Sequence, residues 1–205
     1  MSKSSNGCSN HQIIDSQILK LLTLETVWSN VPPVTKIPIM TPHFRIEPAT
    51  ERDVPVILDM IRGLAEYEKL SSAVTTTEPK LREVLFGSRP AAEVLLGYVD
   101  ATPVAFAVFF HNFSTFLGKR GLYLEDLFVL PEWRGHGFGR QLLTRLARIA
   151  VERGCGRFEW SVLDWNAPAI GFYEKLGAQP MEEWTVFRMT GDALEKLAAS
   201  ALPLS

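Results

Sequence analysis

Apolar positions in this chain switch repeatedly between a spacing of two and a spacing of three to four, which predicts strands alternating with helices. Residues 1–42 stand apart. They open polar, carry a short helical pattern near Asp15 to Thr26, and end on Pro32, Pro33, Pro38 and Pro42. Repeated prolines hold a chain extended and deny it ladder donors. This stretch reads as a flexible or loosely docked N-terminal extension, with Met40 an alternative start, and residues 43–205 as one domain. His43 to Ile46 reads as a strand. Thr50 and Asp53 form a capping-box-like start for a helix with Val54, Ile57, Leu58, Ile61 and Leu64 on one face. A second helix is predicted from Thr77 to about Phe86, with Pro79 in its first turn. Glu93 to Val99 and Val104 to Phe110 form a hairpin around Asp100 to Pro103, and Leu122 to Leu130 a fourth strand. A long amphipathic helix covers Gln141 to Ala150. After it come a strand from Phe158 to Leu163, a helix near Pro168 to Leu176 stopped by Gly177, a strand from Trp184 to Met189 and a closing helix from Asp192 to Ala199. The fold class is a mixed α/β sheet with helices on both faces.

Composition narrows the options. A length of 205 residues fits one domain, and a hydrophobic fraction of 46% is enough for a sizeable core. A net charge of −2 gives no reason to expect nucleic acid as a partner. Cys8 and Cys155 form no C-x-x-C pair, and His11, His43, His111 and His136 have no metal-ligand spacing, so neither a disulfide framework nor a metal site is expected. No apolar run is long enough for a membrane span. A reducing, cytoplasmic setting fits.

The most informative stretch is Arg134-Gly135-His136-Gly137-Phe138-Gly139, between the fourth strand and the long helix. Glycines at alternate positions remove the Cβ atoms that would keep a phosphate off the backbone. The free N–H groups and dipole of the first helical turn, through Arg140, favour an anion, and Arg134 can add a charge-assisted contact. The alternative is a plain glycine-rich turn capping a helix. The spacing is not G-x-x-x-x-G-K-S/T, nor G-x-G-x-x-G.

Together with Tyr123-Leu124-Glu125-Asp126-Leu127-Phe128-Val129 upstream, and Leu163-Asp164-Trp165-Asn166 and Gly171-Phe172-Tyr173-Glu174-Lys175-Leu176-Gly177 downstream, this hexapeptide resembles the GCN5-related N-acetyltransferases. The order and spacing of the blocks are similar to the diamine (spermidine/spermine) acetyltransferase branch, from about Phe44 to about Leu197. The resemblance implies a mostly antiparallel mixed sheet, acetyl-CoA as co-substrate, no metal, and a homodimer acting on a small-molecule amine. It implies that the turn from Arg134 to Arg140 holds the pyrophosphate. It also implies that a bulge splays the fourth strand, so that the N–H groups of Phe128, Val129 and Leu130 face the pantetheine arm. Asn166 would cap a helix and touch the cofactor.

Acetyl transfer to an amine poses three problems. The amine is protonated at neutral pH, with a pKa of roughly 10.4 for a lysine-like group. The carbonyl gains negative charge, and the leaving thiolate wants a proton, its thiol pKa being about 8.5. By resemblance Glu125 is the general base, acting through water. Asp126, adjacent in a strand, is expected on the opposite face of the sheet; both could instead be structural carboxylates. Tyr173 matches the family's general acid, with cofactor contact, although a core aromatic is the other reading. Tyr67 and Glu68 match a pair lining the acceptor side; the alternative is a solvated helix end.

Ser114 and Phe116 stand where polyamine-selective relatives carry an acid and a tryptophan. The uncharged Ser114 resembles the sister branch that prefers lysine-like thioether amino acids. The expected function is acetyl-CoA-dependent N-acetylation of a primary amine of a diamine, polyamine or lysine-like amino acid, by direct transfer in a ternary complex. A protein N-terminal or lysyl acetyltransferase and a non-catalytic acyl-CoA-binding module are the alternatives.

Overall fold

The computed structural model describes residues 43–200. The expected extension over 1–42, with its short helix, lies outside them. The chain runs β1 (Phe44–Pro48), α1 (Val54–Tyr67), α2 (Glu78–Phe86), β2 (Glu93–Val99), β3 (Thr102–Ser114), β4 (Lys119–Val129), α3 (Phe138–Glu152), β5 (Phe158–Trp160), α4 (Ala167–Lys175) and α5 (Gly191–Ala199). The five strands lie in sequence order, with β1 to β4 antiparallel and β5 parallel to β4. The one parallel pair needs a crossover, and α3 supplies it.

Local chemistry accounts for the boundaries. The Thr50 N–H donates to Asp53 Oδ2 at 2.7 Å and its hydroxyl to the same oxygen at 2.8 Å, so the expected capping pair forms ahead of α1. Thr77 precedes α2 as its N-cap, with a proline in the first turn. Gly177, at φ +90°, ends the α4 segment in the left-handed region.

The core is two-sided. Leu142, Leu143, Leu146 and Ile149 of α3 pack on Leu95, Ala105, Ala107, Phe109, Leu122 and Leu124. Ile57 and Met60 of α1 and Leu85 of α2 pack on Val94, Leu96, Phe106 and Phe128 across the sheet. Successive residues of β2 and β3 thus feed opposite cores, as the period of two requires. Each fully buried large side chain contributes on the order of 2 kcal/mol of transfer free energy.

Three expectations need correction. Trp184 to Met189 is not a strand. Val186 is 81% and Phe187 92% exposed, and the run has no ladder partner among the described residues. Its β-type composition describes side chains suited to a pleated surface, and a strand also needs a neighbour. β5 stops at Trp160 instead of Leu163, so among the described residues β4 is paired on that side only from Leu122 to Leu124. The bulge that the resemblance implies for β4 is present, since Val108 pairs with Asp126 and Phe109 with Leu124 and Glu125 is the extra residue, and it is the simple alternation expected of Glu125 and Asp126 that fails.

Candidate active site

The bulge decides which groups meet. Leu122 and Leu124 face α3, and so do Leu127 and Val129, while Phe128 and Leu130 face α1. Two same-face residues three steps apart require one inserted position, which turns Glu125 and Asp126 toward the α1 side together. The expectation that they face opposite sides is therefore corrected. Asp126 is raised to about 6 by burial first, then by the charges of Glu125 and Glu68. Glu68, at the C-cap of α1, is itself raised by burial.

Beyond Leu124 the free edge of β4 becomes the floor of the site. The Leu130 N–H donates to Val104 O at 3.0 Å, toward β3. Antiparallel alternation then turns the Phe128 N–H toward β3 as well, and leaves the N–H and C=O groups of Leu127 and Val129 facing the open edge. Of the three N–H groups expected on the open side, that of Val129 points there and those of Phe128 and Leu130 point to β3, while Leu127 shares the direction of Val129. Sequence reading missed Leu127 because its direction depends on strand pairing. Among the described residues the N–H groups of Leu127 and Val129 have no strand partner on this side, and such an edge is a surface suited to an amide-bearing arm.

The glycine turn sits at the end of this edge. Gly135 and Gly137 adopt φ of +80° and +81°, and a Cβ on either would meet nothing within 4 Å. The space above both is open. Gly137 is the N-cap of α3, and the first N–H bonded back into the turn is that of Gln141, to Gly137 O at 3.1 Å. The N–H groups of Phe138, Gly139 and Arg140 therefore lack intrahelical partners, which makes an anion seat. The Phe138 side chain is buried and stacks on Phe44 at 4.0 Å, so that residue offers only its backbone. His136 is exposed, with Nδ1 3.0 Å from Arg134 O. These groups fit a pyrophosphate.

Arg134 is placed differently from expectation. Its Nε donates to Val129 O at 3.0 Å, and its guanidinium lies 4.3 Å from the centre of the Tyr67 ring and 5.5 Å from that of Phe128. The side chain turns back to β4 and α1, because a carbonyl at an open edge and two aromatic faces attract it. It lies against Tyr67 and Phe128 instead of adding charge to the glycine turn.

The opposite wall is the start of α4. Asn166 is buried, and its Oδ1 accepts from the Ala169 N–H at 3.3 Å as an N-cap and from the Tyr67 hydroxyl at 3.3 Å. About two helical turns on, Tyr173 packs at 5.0 Å from Trp160 and 5.3 Å from Phe172. Its pKa is raised by burial, then by Glu68 and Tyr67. A phenol so placed keeps its proton at neutral pH. Trp165 is 53% exposed at the rim, 6.1 Å from Tyr67.

Ser114 does not join this group. It is buried at the far end of β3, where its Oγ accepts from the Leu117 N–H at 3.3 Å and closes the β3–β4 turn. Six strand residues separate it from Val108, opposite Asp126, or roughly 20 Å.

Comparison with known proteins agrees with this geometry. Residues 62–178 match the model of the acetyltransferase (GNAT) family. The chain is 39% identical to a thialysine N-epsilon-acetyltransferase of Mus musculus, over 75% of this chain and 96% of that protein. It is 35% identical to an L-ornithine N5-acetyltransferase of Arabidopsis thaliana, over 75% and 87% respectively. An integron cassette protein from the mobile metagenome of V. cholerae superposes with a TM-score of 0.66 at 26% identity, over 77% of this chain and 98% of that one. The matched segment contains the glycine turn, the open edge of β4 and Tyr173, and the chain belongs to the GNAT family of acetyltransferases, enzymes that use acetyl-CoA as co-substrate.

Proposed function

We propose that this enzyme acetylates the terminal amine of a small diamine or lysine-like amino acid by direct transfer in a ternary complex. The observation that carries this reading is the meeting of Asp126, Glu125, Glu68 and Tyr173 at the open edge of β4. The acceptor names of the two similar enzymes, thialysine and ornithine, support it.

The residues divide the work. The three carboxylates draw an ammonium group, and the Glu125–Asp126 pair takes one proton from it. Asp126 suits this step, because a carboxyl near 6 is ionised at neutral pH yet more basic than an ordinary aspartate. Acetyl-CoA supplies an activated acetyl thioester when bound. The outward N–H of Val129 donates to a carbonyl oxygen lying along the edge, where negative charge develops. Tyr173 gives its proton to the departing sulfur. Of the two protons the nitrogen loses, one passes through the carboxylate pair to solvent and the other replaces the one Tyr173 has given. The N–H groups of Phe138, Gly139 and Arg140 hold the pyrophosphate.

A second copy of the chain is the proposed cover for the apolar residues exposed between Met181 and Leu197, which supports a homodimer. Light scattering on the purified protein checks it.

The activity is tested by following thiol release from acetyl-CoA with thialysine, lysine, ornithine, putrescine, spermidine and a short peptide. Turnover with small amines is expected. Turnover with the peptide alone would replace this reading by protein acetylation. Acetyl-CoA binding with no turnover across the panel would replace it by a binding role.

A further inference from the structure

Resting on that reading, we infer that Lys69 receives a carboxylate at the far end of the acceptor, so that the site selects zwitterionic diamino acids over polyamines.

Three observations point there. First, Lys69 has φ +61° immediately after the α1 cap, where its N–H donates to Glu66 O and the next N–H, of Leu70, to Ala65 O at 2.7 Å. This left-handed position normally takes glycine, so a side chain there is strained. It nevertheless carries a long cationic side chain, next to Glu68 at the end of α1. Second, Lys69 Nζ lies 5.9 Å from the centre of the Trp165 ring, at the rim that Tyr67 and Trp165 share. Third, the charges are sorted. Glu68 and Glu125 lie close enough to Asp126 to act on it through their charges, and Lys69 and Arg134 flank the Tyr67–Trp165 aromatic pair. Among the described residues none of these five forms an ion pair with another.

Neighbouring opposite charges left unpaired match a ligand with its own opposite charges. A lysine-like acceptor presents an ammonium at one end and a carboxylate at the other, with a methylene chain to lie on the aromatic rims. A polyamine would bring a second ammonium toward Lys69, where two like charges repel. An exposed ion pair contributes up to about 1 kcal/mol, or about five-fold in affinity. Selection by Lys69 is therefore modest in size and specific to the carboxylate.

The experiment compares free ornithine and lysine with their α-carboxamides, in wild type and in Lys69→Gln, Lys69→Glu and Lys69→Arg. Wild type is expected to favour the free acid, mainly through KM. Lys69→Gln lowers the ratio of free-acid to amide kcat/KM about five-fold, Lys69→Glu lowers it further and raises relative activity on putrescine, and Lys69→Arg keeps it. An unchanged ratio in Lys69→Gln and Lys69→Glu, or a wild type that does not distinguish acid from amide while acetylating both, overturns the assignment to Lys69 and leaves the acetylation reading standing. Inactivity of wild type on every small amine overturns both.

Discussion

The Tyr67 hydroxyl donates to the same Asn166 oxygen that caps α4, so the end of α1 and the start of the helix carrying Tyr173 share one acceptor atom. Replacing Asn166 by Ala removes the cap and the link together. Losing a cap costs about 1 kcal/mol, which in a domain of this size lowers Tm by about 2–4 °C. The kcat is expected to fall more than acetyl-CoA affinity, because the misplaced group is Tyr173. Calorimetric melting and steady-state kinetics on the same preparation check both effects.

Tyr173→Phe leaves the packing on Trp160 and Phe172 in place and removes only the proton donor. Turnover is expected to drop about a hundredfold, with acetyl-CoA binding nearly intact. Unchanged turnover would assign the side chain to packing alone.

Asp126 gives a pH signature in two measurements. Protonated below about 6, it cannot take a proton, so kcat/KM is expected to rise with pH through about 6. Its folded-state pKa lies above the ordinary 3.8, so the folded chain binds this proton more tightly than the unfolded one. The stability this confers is fully present below about pH 4 and is lost as pH rises to about 6, by up to roughly 3 kcal/mol. Asp126→Asn should abolish both dependences. If the acid limb of kcat/KM survives in that variant, Asp126 is not the group behind it.

Gly137→Val tests the glycine turn. The φ of +81° makes any side chain there cost about 1–2 kcal/mol, but its Cβ meets no protein atom within 4 Å. The added methyl groups instead enter the space above the α3 N–H groups. Affinity for acetyl-CoA, measured by calorimetry, is expected to fall at least tenfold, more than the loss in stability accounts for. Normal affinity would remove the turn from the pyrophosphate site.

The order of strands and helices was legible because each element carries its own period, from Val54, Ile57 and Leu58 on α1 to Leu142, Leu143 and Leu146 on α3. The glycine turn and Tyr173 were legible as motifs. What the chain did not disclose depends on partners distant in sequence. Glu125 and Asp126 read as an ordinary alternating pair, and only the register against Val108 and Phe109 makes Glu125 an inserted residue. Leu127 looks like any core leucine until β5 ends early and leaves its amide on an open edge. Arg134 sits in the phosphate motif, yet the Val129 carbonyl and the Tyr67 ring decide where its side chain goes. Lys69 is an unremarkable helix-end lysine until its backbone angle is known.

An unpaired strand edge is also a template on which a second polypeptide can lay down β-structure. The exposed stretch of β4 is short, and acidic groups at the bulge discourage a neighbouring chain from extending along it. A bound pantetheine arm would occupy the same hydrogen-bonding positions as an added strand. Acetyl-CoA, when bound, would then cap this edge against strand addition as well as supply the acetyl group.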